Sequence, residues 1–298
     1  MTLLSTLGFQ PQKRAWMQAP HCISTQEMSL VIPVKDNQSG VTRFLSELLR
    51  THPPTLYPRE VIIVDNNSAP PLTLSSAVNA DGLQIMLLRC ERPGPASARN
   101  LGIGHTCAEW VVFADSDCLP SATFLTGYLT AMNGAVGYAG AVQAWRTDPW
   151  SQYYDSQGIL TPPPTFEEGV ARPEYLVTAN ALVWKPALEA IGGFNETIEI
   201  AAGEDIDLGF RLREIGTLAY APTACVYHDF QAGLLSFMHR FVRYGKGNRR
   251  IGRLYCLDLT PHVFSAKHPS TFNWLLARLQ YLSLAWGYRD RSSPKEPA

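Results

Sequence analysis

From residue 28 onward, short apolar runs alternate with stretches of helical periodicity. Residues 28–34 (MSLVIPV) are almost wholly apolar and are closed by polar residues, which predicts a buried strand. Residues 41–49 follow with Val41, Phe44, Leu45, Leu48 and Leu49 on one helical face. The β-branched run at 61–64 ends abruptly at Asp65-Asn66-Asn67-Ser68, and 83–88 reads as a third strand. A helix is expected over 96–106, then a fourth strand over 110–114 that stops at Asp115-Ser116-Asp117. Strands alternating with helices imply an α/β fold: a mainly parallel, doubly wound, Rossmann-like sheet flanked by helices.

Polar clusters follow three of these strands, at Lys35-Asp36-Asn37, at 65–68 and at 115–117. Open α/β sheets bind ligands outside the carboxyl ends of their strands, so these clusters mark the expected site. The second half is less regular. Strands are predicted over 136–143 and 175–184, separated by a long Pro- and aromatic-rich loop over 150–173 of the kind that closes over a ligand. A helix is expected after Gly203-Glu204-Asp205, a short strand over 224–227 ending at His228, and helical structure from 233 onward.

Composition narrows the classes. The 298 residues are 46% hydrophobic and 17% charged with a formal net charge of -1, which argues against nucleic acid as a partner. The six cysteines form no CxxC pair, so a thiolate zinc site is not expected and reduced thiols are. The N-terminal MTLLSTLGFQPQKR lacks the form of a secretory signal, and no apolar run approaches the length that spans a bilayer. A cytoplasmic location is expected, with peripheral contact on the inner face of the cell membrane left open. The segment 274–288 (WLLARLQYLSLAWGY) raises that question, since core packing, self-association and a bilayer interface all suit it.

Five motifs carry candidate chemistry. Asp115 and Asp117 straddle one residue after a buried strand, where an extended backbone would aim both carboxylates at one divalent cation. A solvated turn is the plainer alternative. Glu204, Asp205 and Asp207 crowd a helix start, either as dipole partners or as the source of a general base. There the neighbouring carboxylates would raise a pKa and the helix dipole would lower it. Arg92-Pro93-Gly94-Pro95 leads into a helix bearing Arg99 and Asn100, suited to a diphosphate or simply to a capped surface helix. His228 past a strand is a structural histidine or a third metal ligand. Residues 239–253 hold six Arg or Lys and no acid, as a solvated face or a contact for phosphates or anionic lipid.

In order along the chain, LVIPVKDN, VIIVDNNS, RPGPASARNLGI, FADSDCLP, NALVWKPALEAIGGFNE, GEDIDLGFRLREIG and VYHDF resemble the motifs of family 2 of the inverting glycosyltransferases, which have the GT-A fold. The resemblance covers about residues 28–250. It implies a nucleotide-sugar-binding half over 28–130 and an acceptor-binding half of the same domain over 131–232. An irregular lead-in (1–27) and a helical C-terminal region (233–298) would flank them. Pro33 and Val34 would line the nucleotide pocket, Asp65 would contact the base, and Arg99 would sit near the base or diphosphate. Asp36, Asn67, Asn100 and Ser116 are placed on the same donor side. Asp115 would hold the ribose or a metal-bound water. Asp117 would ligate Mg2+ or Mn2+ with His228, and Asp205 would be the base with Glu204 orienting the acceptor. One departure is that Asn66 and Asn67 replace the usual Asp-Gly. The implied reaction is an inverting sugar transfer from a nucleotide-sugar donor to a hydroxyl acceptor: lipid-linked, saccharide, peptide or small molecule. A sugar nucleotidyltransferase and a donor-binding scaffold without turnover are the competing readings. The loop after the first strand has a single Gly, poor for the former, and a scaffold needs no base.

Overall fold

The computed structural model describes residues 16–74 and 82–290. The first half runs β1 (Met28–Val34), α1 (Gln38–Thr51), β2 (Glu60–Asp65), β3 (Gln84–Arg89), α2 (Pro95–His105), β4 (Trp110–Ala114), β5 (Cys118–Pro120) and α3 (Phe124–Ala131). The second half adds β6 (Gly137–Ala144), α4 (Pro149–Gln157), β7 (Pro164–Glu167), β8 (Val170–Pro173), β9 (Asn180–Trp184), α5 (Lys185–Ala190), α6 (Glu204–Arg213), β10 (Leu218–His228), α7 (Leu234–Leu254) and α8 (Thr271–Arg289). Eight strands make one sheet in the order β3-β2-β1-β4-β9-β6-β10-β5. β3, β2, β1 and β4 pair in parallel, and β6 pairs in parallel with β10. β9 runs antiparallel to both β4 and β6, and β5 runs antiparallel to β10 at one edge. The expected mainly parallel sheet is therefore present, made mixed by two reversed strands.

Strand periodicity explains how the apolar runs bury themselves on both sides. Leu30, Ile32, Val61 and Ile63 point to one face and pack with Phe44, Leu45 and Leu48 of α1. Val31, Ile62 and Val64 point to the other and pack with Ala98 and Ile103 of α2. Alternate residues of near-continuous apolar strands thus serve two cores. A further aromatic cluster joins Tyr153 and Tyr154 of α4 to Phe237 and Phe241 of α7 and Leu276 of α8. α7 and α8 cross at Gly245 and Gly287, where an added Cβ would strike the backbone of the other helix.

Three expectations are corrected. Residues 175–179 are not strand: Leu176, Val177 and Ala179 are buried, which mimics a strand in sequence. The backbone instead turns, Asn180 N donating to Val177 O at 3.0 Å, and pairing begins only at Asn180 opposite Ala114. The stretch 150–173 is not a structureless loop. Asp148 caps α4 by accepting from Trp150 N and Ser151 N, and Gly158 ends it in the left-handed region. β7 and β8 then form a hairpin whose two linking residues, Glu168 and Gly169, both have positive φ, as the twist of a tight hairpin demands. The strand expected over 224–227 is the end of the longer β10, which carries a register shift between Ala221 and Cys225. β5, α3 and α5 were not foreseen.

Candidate active site

The carboxyl ends of β1, β4 and β10 and the start of α6 open onto one cleft of about 860 Å³. Pro33, Val34 and Asp36 follow from β1, Asp115, Ser116 and Asp117 from β4, His228 from β10, and Glu204 and Asp205 from α6. Most of the polar residues singled out in sequence therefore meet in space.

Arg99 binds the two acidic motifs together. Its guanidinium is 3% exposed. It donates from Nη1 to Glu204 Oε1 at 2.8 Å and from Nη2 to Asp115 Oδ1 at 2.9 Å, over the ring of Phe194. Burial alone would disfavour its charge, but Asp115 and Glu204 more than offset that and raise its pKa. Arg99 is thus an internal strut between carboxylates rather than an open phosphate contact.

Glu204 is buried, which pushes its pKa up against the pull of Arg99. Asp205 keeps some surface on the cleft, but its surroundings replace most of its hydration. Burial, then the charge of Glu204, push its carboxyl up to about 7 against Arg99 and a bond from Ile206 N. The contest between helix start and neighbouring carboxylates thus resolves upward. Asp207 belongs to the frame instead, paired with Arg211 at 2.6 Å and accepting from Tyr255 Oη at 2.8 Å.

Asp117 and His228 form the second centre. His228 Nε2 lies 3.4 Å from Asp117 Oδ1. The ring of His228 stacks on Phe230 at 4.5 Å, and burial followed by the charge of Arg240 lowers its pKa to about 3. It is a neutral imidazole at physiological pH. Asp117 is 37% exposed to the cleft, yet desolvation there raises its pKa, Arg240 partly offsetting this. Asp117, Cys118 and His228 are the one cluster among the described residues whose ligand atoms approach within 4.8 Å. The Cys118 thiol is buried, which with the charges of Asp117 and Asp115 pushes its pKa well up, and it is directed at Ala179 O. A carboxylate oxygen and a neutral imidazole nitrogen fit a divalent ion such as Mn2+. Asp115 does not join that cluster: the chain turns at Ser116-Asp117 instead of staying extended, and the Oδ1 of Asp115 is held by Arg99.

The donor-side residues divide into those that face the cleft and those that build its wall. Asp36, at φ 52°, ties the loop after β1 to the loop after β2: its N donates to Ser68 Oγ and its Oδ1 accepts from Ala69 N. Ser116 Oγ accepts from Asn37 Nδ2, and Asn37 in turn caps α1 through Gly40 N. Asp65, Asn67 and Asn100 do not line the cleft. Asp65 is buried and accepts from Ser68 N, Leu72 N and Arg89; these outweigh desolvation and hold its pKa low. Asn67 accepts from Arg89 Nη2, and Asn100 secures the backbone of Phe194 and the side chain of Glu196. Asn66, treated in sequence only as a departure from the motif, faces the cleft and fastens Arg92 O and Gly94 N.

The far wall was foreseen only in its basic segment 239–253. His239, Arg240 and Arg243 of α7, Gln280 of α8, and Tyr175 and Thr178 before β9 line it. Arg240 lies over the rings of Tyr154 and Phe230 at 5.4 Å each, its charge towards Asp117. The basic run 239–253 was the available signal, but nothing local told which of its faces turned inward. Ile159 and Leu160, at the end of α4, also reach the cleft.

The family model described as glycosyl transferase family 2 matches residues 29–184. The pre-mycofactocin glycosyltransferase of Mycobacterium tuberculosis strain H37Rv is 30% identical over 74% of this chain, and the chain spans 47% of that relative, about half its length. The glycosyltransferase AglE of Haloferax volcanii is 24% identical over 78% of this chain and 76% of its own. Among solved structures, the mannosyltransferase PcManGT of Pyrobaculum calidifontis, in complex with GDP-Man and Mn2+, superimposes with a TM-score of 0.58 at 17% identity, covering 93% of this chain and 77% of that one. At that identity the likeness is one of fold, the GT-A architecture. Motif order, sheet topology and these matches agree, and the chain belongs to glycosyl transferase family 2.

Proposed function

We propose that this protein transfers a sugar from a nucleotide-diphosphate sugar to a hydroxyl acceptor with inversion at the anomeric carbon. The observation that carries the reading is Asp205: a carboxylate lifted to about 7, on the same cleft as the Asp117–His228 pair. A general base works best with a pKa near the operating pH, and burial beside Glu204 supplies that. Asp117 and His228 would hold Mg2+ or Mn2+. A divalent ion there would neutralise diphosphate charge and make the nucleotide a better leaving group.

The chain's own residues do the rest. Pro33, Val34 and Asn66 border the space for the nucleoside. Glu204, held by Arg99, lies beside Asp205, and its charge adds to burial in raising the Asp205 pKa. Asp205 accepts the proton of the acceptor hydroxyl as the oxygen attacks, and a single displacement inverts the centre. Holding both substrates in one cleft supplies the orientation that a bimolecular encounter lacks. PcManGT, which binds GDP-Man and Mn2+, supports the donor class and the ion.

The test is binding and slow hydrolysis across a panel of nucleotide sugars with Mn2+, Mg2+ or chelator. Metal-dependent binding of one donor is expected. Binding of none under any condition would overturn the transferase reading and favour a scaffold.

A further inference from the structure

α8 packs on the body of the protein with one side only. Leu276, Ala277, Gln280, Ser283 and Gly287 are buried, Gly287 against the backbone of Val242 in α7. The opposite side carries Trp274, Leu275, Leu282 and Trp286, between 54% and 65% exposed. Arg278 and Arg289 fall on the same side by helical spacing, and the Arg278 guanidinium lies over the Trp274 ring at 5.5 Å. Large apolar side chains are rarely left this exposed in a row without an occupant.

Charge says which occupant. From residue 230 to residue 290 the chain holds nine Arg or Lys (Arg240, Arg243, Lys246, Arg249, Arg250, Arg253, Lys267, Arg278 and Arg289) and two acids, Asp258 and Asp290, the latter paired with Lys246. The whole chain has a formal net charge of -1, so this excess of cations is local. Arg240 and Arg243 turn into the cleft, whereas Arg253 and Leu254 at the end of α7 are exposed. A symmetric second copy seated on α8 would bring a second set of Arg278 and Arg289 to the same interface, and the one acid next to the helix, its C-cap Asp290, is paired with Lys246 at 2.8 Å. An anionic lipid surface receives both components: indole rings and leucines enter the headgroup boundary, and the arginines meet phosphates. No helix among the described residues is long and apolar enough to cross a membrane, so the contact is with the surface.

We infer that the outer face of α8, through Trp274, Leu275, Leu282 and Trp286 with Arg278 and Arg289, docks the protein onto an anionic bilayer. Gln280 and Leu284 on the inner part of the same helix line the cleft, so docking brings the cleft close to the membrane surface. The inference stands apart from the sugar-transfer reading, because it depends only on this helix.

Vesicle flotation of the full chain tests it. Vesicles of phosphatidylcholine alone are compared with equal parts phosphatidylcholine and phosphatidylglycerol, at low and high salt. The wild type is expected to float with the anionic vesicles and to be released by salt. The double variant Trp274→Ala, Trp286→Ala is expected to lose about tenfold of that binding while keeping the wild-type thermal midpoint. The pair Arg278→Glu, Arg289→Glu leaves the apolar contacts in place and is expected to lose anionic-vesicle binding as well. A wild type that stays unbound at low salt overturns the inference, as does flotation unchanged by either pair. A wild type that is dimeric by light scattering, made monomeric by the Trp pair and indifferent to vesicles, gives the face to a second copy and also overturns it.

Discussion

Removing the charge of Arg99 is the most direct perturbation of the cleft. Arg99→Leu leaves a hydrocarbon of similar bulk but strips the partner from two carboxylates. Glu204 is 6% exposed and Asp115 is 34% exposed, so nearly all of the penalty falls on Glu204 and water takes up much of the Asp115 share. Breaking a buried pair by removing one member costs about 3–5 kcal/mol. The lower end, about 3 kcal/mol, applies because Glu204 already tends towards protonation and can shed its charge. For a chain of this size that is a fall in thermal midpoint of roughly 6–10 °C. The pH dependence has a definite sign. Glu204 has a raised pKa in the folded state, so its ionised form is the one the fold disfavours. Without Arg99 the pKa rises further, and stability is lost progressively as pH rises through it. Thermal unfolding of wild type and variant across pH 6 to 8 reads this directly. The deficit should widen towards pH 8, and Arg99→Lys, which keeps a cation but not the fork, should fall between. A midpoint unchanged at both ends, with donor binding lost, would refute the strut and restore Arg99 as an open phosphate contact. A deficit that shrinks with rising pH would refute the electrostatic account.

Three further outcomes are expected. Asp205→Asn should keep donor affinity while transfer falls about 10²–10⁴-fold, and the wild-type kcat/KM should rise with pH through a midpoint near 7, since only the ionised carboxylate accepts a proton; titrating the pH profile of each checks it. Chelator should abolish tight donor binding and Mn2+ restore it, with Asp117→Ala or His228→Ala raising the Mn2+ needed by at least about tenfold in a calorimetric titration. Gly127→Ala should destabilise by about 1–3 kcal/mol in urea unfolding, because its methyl would land on the backbone of Thr223 and Ala224 in β10.

Local pattern determined much of this protein. The near-continuous apolar runs within residues 28–34 and 61–64 specified buried strands, and the apolar spacing of 41–49 specified the helix that covers one face of them. The polar residues closing β1, β4 and β10 were legible as a site because strand ends converge at one edge of a parallel sheet. Local pattern failed where burial and pairing part company. Leu176, Val177 and Ala179 are buried without a partner strand, and the Glu168-Gly169 turn has the usual glycine but Glu where Asn or Asp is favoured. Pairings between distant residues belong to tertiary structure alone. Arg99 and Glu204 are 105 positions apart, so no window on the sequence could reveal that one neutralises the other. The same distance effect drew Asp115 towards Arg99 while leaving Asp117 with His228. It also lifted Asp205 to about 7, because desolvation is a property of the packed cleft and not of the residues beside Asp205 in the chain.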